Sequence, residues 1–187
     1  MSSITCRIAT PGDIPGMLAL QEACYIGNLP PQARGSGFLS VRFSRRQFSR
    51  MMDEAGIVVA AGAGGVIAGY LCAASLDGGG SSPILARLVE LINVVEYRGA
   101  PLGTFRPFLY GPVCLHETLR GQGLLPVLFA QLKRHVAGRY GTGVAFVSLD
   151  NPRSLRAHVE KLGMTAVCEF SVDHARYALL AFDVNPD

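Results

Sequence analysis

The stretch Phe108-Leu-Tyr-Gly-Pro-Val-Cys-Leu-His-Glu-Thr-Leu-Arg-Gly-Gln-Gly-Leu-Leu125 decides how this chain is read. An apolar run ends, a glycine-rich turn headed by Arg120 follows, and an amphipathic helix begins. That order aims free backbone N–H groups and the positive end of a helix at one point in space. Such a point suits a phosphate group.

The helix after the turn is written in its apolar spacing. Leu124, Leu128 and Leu132 recur every fourth residue, and Leu125, Phe129 and Val136 fall beside them. Gln131, Lys133 and Arg134 lie off that stripe, which leaves one apolar face. Pro126 has no N–H to give and belongs in a first turn, so the helix is predicted to start at Gln122 or Gly123. Gly121 and Gly123 permit a tight turn and a close ligand approach.

Two phosphate-binding motifs compete for this segment. A P-loop needs Gly-x-x-x-x-Gly-Lys-Ser/Thr, and no such run occurs. A dinucleotide fingerprint needs three spaced glycines, and Gly121-Gln-Gly123-Leu-Leu-Pro126 supplies two, with Asp150 as the acid at the end of the next strand. The rest of the chain is short for a doubly wound sheet with two mononucleotide halves.

Arg120-x-x-Gly123-x-Leu125 resembles the acyl-CoA-binding signature of the GNAT N-acetyltransferase superfamily, departing only where Leu125 replaces Gly or Ala. The resemblance implies a fold of class α/β (α+β): a central mixed, mostly antiparallel, splayed sheet flanked by helices. It implies that Arg120, Gly121, Gln122, Gly123, Leu124 and Leu125 hold the CoA pyrophosphate at a helix N-terminus. The preceding strand, Leu109 to Leu115, would give the pantetheine arm backbone bonds from Val113, Cys114 and Leu115.

A second segment carries the same resemblance. Val144-Ala-Phe-Val-Ser-Leu149 is a β-rich run, followed by Asp150-Asn151-Pro152 and a short helix ending Glu160-Lys161-Leu162-Gly163-Met164. Asn151 suits the N-cap, Pro152 the first helical position and Gly163 the C′ position. In the family, an asparagine at this place also faces the CoA arm, so Asn151 joins the cofactor-binding set.

The family often places a tyrosine in this helix as a general acid, and none lies between Asn151 and Gly163. His158 is the nearest polar substitute; it would either protonate a departing thiolate or decorate the helix surface. Candidate bases are Glu117, His116, Glu90 and Glu96, and Tyr25 is expected to line the acceptor site. Cys114 raises a covalent acyl-enzyme, but no Cys-His-Asn arrangement is legible and a buried structural cysteine fits better. No Gly-x-Ser-x-Gly elbow occurs, so a hydrolase has no support.

Composition narrows the class further. Apolar residues make up 49 % of the sequence and charged residues 17 %, a balance that predicts one folded globular domain over residues 1–187. A net charge of +3 gives no argument for nucleic acid, and Arg42, Arg45, Arg46 and Arg50 read as a solvated helix face. No secretory leader or membrane span is apparent. The five cysteines are scattered with no Cys-x-x-Cys pair, and the four histidines lack metal-ligand spacing. The expectation is a cytoplasmic protein with no metal, no nucleic acid and no membrane partner.

The remaining segments follow the same order as the family. Ser3 to Ala9 reads as a strand. Thr10 and Asp13 form a carboxylate capping box, and Ser44 with Gln47 forms a second, with Phe43 and Phe48 as its hydrophobic staple. Asn28 to Gly37 is a loop, and Gly56–Ala61 with Val66–Ser75 is a hairpin. Residues 77–107 are an insertion: a flexible break at Asp77–Pro83, a helical stripe of Leu85, Leu88, Leu91, Ile92 and Val95, then an irregular stretch from Tyr97 to Pro107. It is expected over the acceptor site, shaping the pocket or a homodimer contact.

The resemblance therefore implies an N-acyltransferase that moves an acetyl group from acetyl-CoA to the primary amine of a small molecule. A peptide or protein N-acetyltransferase is the enzymatic alternative. A non-catalytic acyl-CoA-binding sensor on the same fold is the non-enzymatic one.

Overall fold

Side-chain caps start the first two helices, as the sequence predicts. In a computed structural model covering residues 4–30, 32, 38–76 and 82–185, strand β1 (Thr5–Ile8) leads through Thr10 into helix α1 (Ile14–Cys24). The Asp13 carboxylate accepts from the Thr10 N–H at 2.7 Å and takes both arms of the Arg7 guanidinium, each at 2.7 Å. Helix α2 (Arg45–Glu54) opens on a complete box, with Ser44 N–H donating to Gln47 Oε1 at 2.9 Å and Gln47 N–H to Ser44 Oγ at 3.3 Å. Phe43 and Phe48 close the staple with ring centroids 5.9 Å apart. Parts of the expected loop at 28–37 and of the break at 77–83 lie outside the described residues.

The other elements are β2 (Ile57–Ala61), β3 (Ile67–Ala74), α3 (Pro83–Ile92), β4 (Glu96–Tyr97), β5 (Ala100–Pro101) and β6 (Pro107–Leu115). They are followed by α4 (Leu124–Val136), β7 (Thr142–Ser148), α5 (Pro152–Arg156), β8 (Thr165–Val172) and β9 (Ala175–Asp183). The hydrogen-bonded strand order is β1-β2-β3-β6-β7-β9-β8, mixed and mostly antiparallel.

The chain forms two compact units. The first comprises residues 1–74 and 111–135. In it β2 lies between β1 and β3 and is buried along its whole length, so its sequence, Ile-Val-Val-Ala-Ala, is uniformly apolar rather than alternating. Ile14, Met17, Leu20 and Cys24 of α1 and Phe48 and Met51 of α2 pack on Ile57, Val59, Tyr70, Cys72 and Cys114 of the strands. On α4, Leu128, Phe129 and Leu132 are buried, which is the predicted stripe.

The second unit comprises residues 75–110 and 136–187. Here β6 runs parallel to β7 over Pro107–Leu109 against Thr142–Val144, and the pairing stops there. The β7 strand pairs with β9 over its full length, from Thr142↔Asp183 to Ser148↔Tyr177. β8 and β9 form a hairpin whose turn residues Asp173 and His174 both take positive φ. Leu88, Leu91 and Ile92 of α3, with Tyr97 and Leu102, cover Val144, Phe170, Leu179 and Ala181. The stretch read as irregular from Tyr97 instead contains a small hairpin, β4–β5, turned by Arg98 and Gly99 at positive φ.

Candidate active site

The strand-to-helix turn has the backbone its sequence calls for. β6 ends at Leu115, and the His116 ring then caps a 3₁₀ turn at Glu117–Leu119, its Nδ1 lying 2.8 Å from Thr118 Oγ1. Gly121 (φ 80°) and Gly123 (φ 78°) are both left-handed, and α4 starts at Leu124, one or two residues later than predicted. A Cβ at either glycine would meet no atom within 4 Å. Backbone conformation, not crowding, therefore demands glycine, and the space above the turn is open. Left-handed residues beside right-handed ones gather successive N–H groups into an anion-binding concavity. The first N–H groups of α4 have no intrahelical partner and point the same way. The Gln122 amide folds back onto the Thr118 carbonyl at 2.6 Å.

Arg120 points back into the protein. Its Nε donates to the Leu115 carbonyl at 3.0 Å and its Nη2 reaches Cys24 Sγ at 3.6 Å. Cys24 Sγ also lies 3.7 Å from the Leu115 carbonyl, and Cys114 Sγ lies 3.9 Å from the Leu20 carbonyl. The neighbouring Cys114 thiol, and then the Arg120 charge, draw the Cys24 thiol below the ordinary cysteine value. Cys24 and burial push Cys114 up. Tyr70 is fully buried, and its hydroxyl has no hydrogen-bond partner among the described residues.

These contacts set the phase of β6. The His116 N–H bonds Ala68 on β3 at 2.9 Å, while the Leu115 carbonyl turns to Arg120. By strand alternation the N–H groups of Val113 and Leu115 face away from β3.

The other candidates divide between the units. Tyr25 follows α1 and lies under the Arg42 guanidinium at 4.6 Å, and Arg42 also pairs with Glu22. Glu117 is exposed beside the turn. Tyr25, Glu117, His116, Arg120, the two glycines and the β6 backbone from Gly111 to Leu115 all belong to the first unit. Asn151, His158, Glu90 and Glu96 belong to the second.

Asn151 caps α5, its Oδ1 accepting from Ser154 N–H at 3.2 Å. The helix then widens into a π turn at Ala157–Lys161. That turn carries His158 inward, to 7 % exposure, so this histidine is no surface decoration. Its ring stands edge-on to Tyr110, centroids 5.5 Å apart, and burial lowers its pKa. Glu90 pairs with Arg87 at 2.8 Å, and Glu96 is exposed on β4. Sequence reasoning missed Cys24: its one signal was a place four residues after Leu20 on the buried face of α1.

No protein-family model matches the chain, and no curated protein matches its sequence. Its fold does match solved acetyltransferases of the GNAT superfamily. An N-acetyltransferase from Staphylococcus aureus Mu50 superimposes with a TM-score of 0.64 at 16 % identity, over 98 % of this chain and 100 % of that one. A GNAT superfamily phosphinothricin acetyltransferase from Sinorhizobium meliloti, in complex with AcCoA, gives 0.64 at 16 % identity over 98 % and 89 %. Arabidopsis thaliana NAA60, in complex with acetyl-CoA, gives 0.65 at 13 % identity over 98 % and 100 %.

Proposed function

We propose that this chain is a GNAT-type N-acyltransferase that moves an acetyl group from acetyl-CoA to the primary amine of a small molecule. One observation carries the reading: the open, doubly left-handed turn of Gly121 and Gly123 at the head of α4. It fits a pyrophosphate, whose oxygens would be held by the amides from Gly121 to Leu125. The fold shared with acetyl-CoA complexes supports the same assignment.

The co-substrate supplies a thioester carbonyl open to attack by an amine. The chain's part is to hold and polarise it. The outward N–H groups of Val113 and Leu115 are the donors for the carbonyl and the pantetheine amides, with Cys114 fixing the strand between them. Arg120 positions: by gripping the Leu115 carbonyl it ties the turn to the strand end. The family resemblance also gives Asn151, the cap of α5, a cofactor-binding role. Glu117 is the base we assign to the incoming ammonium, directly or through water, and Tyr25 the acceptor-side wall. The scattered free cysteines support a reducing, cytoplasmic setting.

A peptide acceptor is the second reading, because small-molecule and NAA60-type neighbours match about equally well. Calorimetric titration with acetyl-CoA, followed by turnover against amine and peptide panels, tests both. Turnover of small amines is expected. Turnover of peptides alone moves the assignment to the second reading, and tight binding with no turnover in either panel leaves a sensor. Failure to bind acetyl-CoA overturns the proposal.

A further inference from the structure

Strand β8 is the last in the sheet, and among the described residues only β9 pairs with it. The hairpin closes on the Val172–Ala175 pair. Val172 and Phe170 therefore turn their N–H and C=O groups toward β9, and Ser171 and Glu169 turn theirs outward. The bonding across β9 agrees: Arg176, opposite Ser171, gives its carbonyl to the Leu149 N–H on the far side at 2.9 Å.

An open edge is a template for another strand, and folded proteins usually blunt it with a proline, a bulge or a bare charge. Here the bulge comes early, between Ala166 and Cys168, and no proline occurs from Thr165 to Val172. The one charge on the strand, Glu169, is taken up by Arg176 at 2.6 Å. The outer edge from Cys168 to Val172 is left unprotected.

Beside this edge lies an apolar groove of about 490 Å³. Pro152, Leu155 and Val159, on α5 and its π turn, form one wall, and Ala166, Val167 and Ala178 lie across from it. Arg156 and Glu160 are also on the groove, and both are exposed. They stand one helical turn apart, where opposite charges normally pair, yet neither has an ionic partner among the described residues. A surface that carries both members of a charge pair, each unused, is self-complementary about a two-fold axis.

We propose that a second copy of this chain docks here: the β8 strands of two copies pair antiparallel about a two-fold axis, and Arg156 of each copy meets Glu160 of the other across the joined grooves. The two-fold axis reverses one α5 against the other and so brings opposite charges together. The pairing satisfies the outward groups of Glu169 and Ser171 and takes the half-buried Leu155 and Val159 out of water. Each copy uses the same edge, so the assembly closes at two, whereas β8 joined to a different edge would run on into a filament. These residues all lie in the second unit and none belongs to the turn at Gly121–Leu125, so the dimer does not depend on the acyl-CoA reading.

Sedimentation velocity on the full chain across the micromolar range tests this. A monomer–dimer equilibrium with nothing larger is expected. Ser171→Pro removes an outward N–H that no bond within the sheet uses, and should weaken dimerisation at least tenfold. Arg156→Glu sets like charges across the axis twice over and should weaken it about tenfold. Arg156→Glu combined with Glu160→Arg restores both opposite pairs and should return the affinity to within a few-fold of the wild type. Both side chains are exposed and unpaired within the chain, so the charge variants keep the fold, which circular dichroism and thermal unfolding verify. Amide exchange at Glu169 and Ser171 should slow at least tenfold between dilute and concentrated protein. A chain that stays monomeric throughout, an assembly that grows past two copies, a dimer indifferent to Ser171→Pro and Arg156→Glu, or a double variant that fails to recover overturns the proposal.

Discussion

The ring of His158 donates through Nδ1 to the carbonyl of Ser154, 2.7 Å away, one turn back on its own helix. A carbonyl only accepts, so the proton sits on Nδ1 and Nε2 is left as an acceptor. Burial, the leading cause, lowers the pKa of this ring, and the Ser154 bond offsets it in part. A neutral ring with its proton engaged is a poor acid for a thiolate. His158→Ala is therefore expected to hold the acyl-transfer rate within a few-fold while lowering stability by about 2 kcal/mol. Single-turnover kinetics beside denaturant titration checks it; a hundred-fold rate loss at constant acetyl-CoA affinity would restore the acid role.

The same shift has a pH signature. A histidine held below its unfolded value contributes stability above about pH 6.5, and that contribution is lost as pH falls through the folded value. Denaturant midpoints at pH 7.5 and pH 5.5 should differ in the wild type and differ less in His158→Gln. Equal differences would assign the pH dependence to other groups.

Asp13 gives a second, more acidic window. The Arg7 fork, followed by the Thr10 bonds, holds its carboxyl well below the usual range against the opposing effect of burial. A carboxyl depressed in the folded state stabilises above its unfolded value, near pH 4, and that contribution fades as pH drops further. Asp13→Asn should cost about 2 kcal/mol at pH 7 and distinctly less at pH 2. Urea titrations at the two pH values read this directly, and a penalty as large at pH 2 as at pH 7 would exclude the ion pair as its source.

At the turn, Gly123→Asp should lower acetyl-CoA affinity at least tenfold in a protein that still folds, because it adds charge and bulk where a phosphate would sit. Gly121→Ala adds no contact, since its Cβ meets open space, but a left-handed alanine costs roughly 1 to 2 kcal/mol. Calorimetry measures the first effect and thermal unfolding the second. Unchanged affinity in folded Gly123→Asp would move the pyrophosphate elsewhere.

What could be read in advance was local in sequence. The capping boxes at Thr10 and Ser44 and the Phe43–Phe48 staple each span a few residues, and all three are present in the structure. The stripe on α4 repeats three times before it ends. What stayed hidden needed tertiary partners or rare backbone. In the last helix Leu155 and Val159 are only half-buried, and the π turn carries His158 inward instead. The hairpin turns at Arg98-Gly99 and Asp173-His174 lack the Asn-Gly or Asp-Gly pairs that announce such turns. Cys24 and Cys114 stand ninety residues apart, and only the packing of α1 on β6 joins them.

The two compact units are interleaved along the chain, each built from two separate segments, and β6 runs through the boundary at Tyr110 and Gly111. This fixes an order of events during synthesis. When β1, β2 and β3 have left the ribosome, the neighbour of β3 has not yet been made, and the whole of residues 75–110 must come first. The β3 edge waits with unpaired backbone groups, a state that invites aggregation. A cut after Ala74 releases no complete first unit, since residues 111–135, with the β6 segment that belongs to it, stay in the other product.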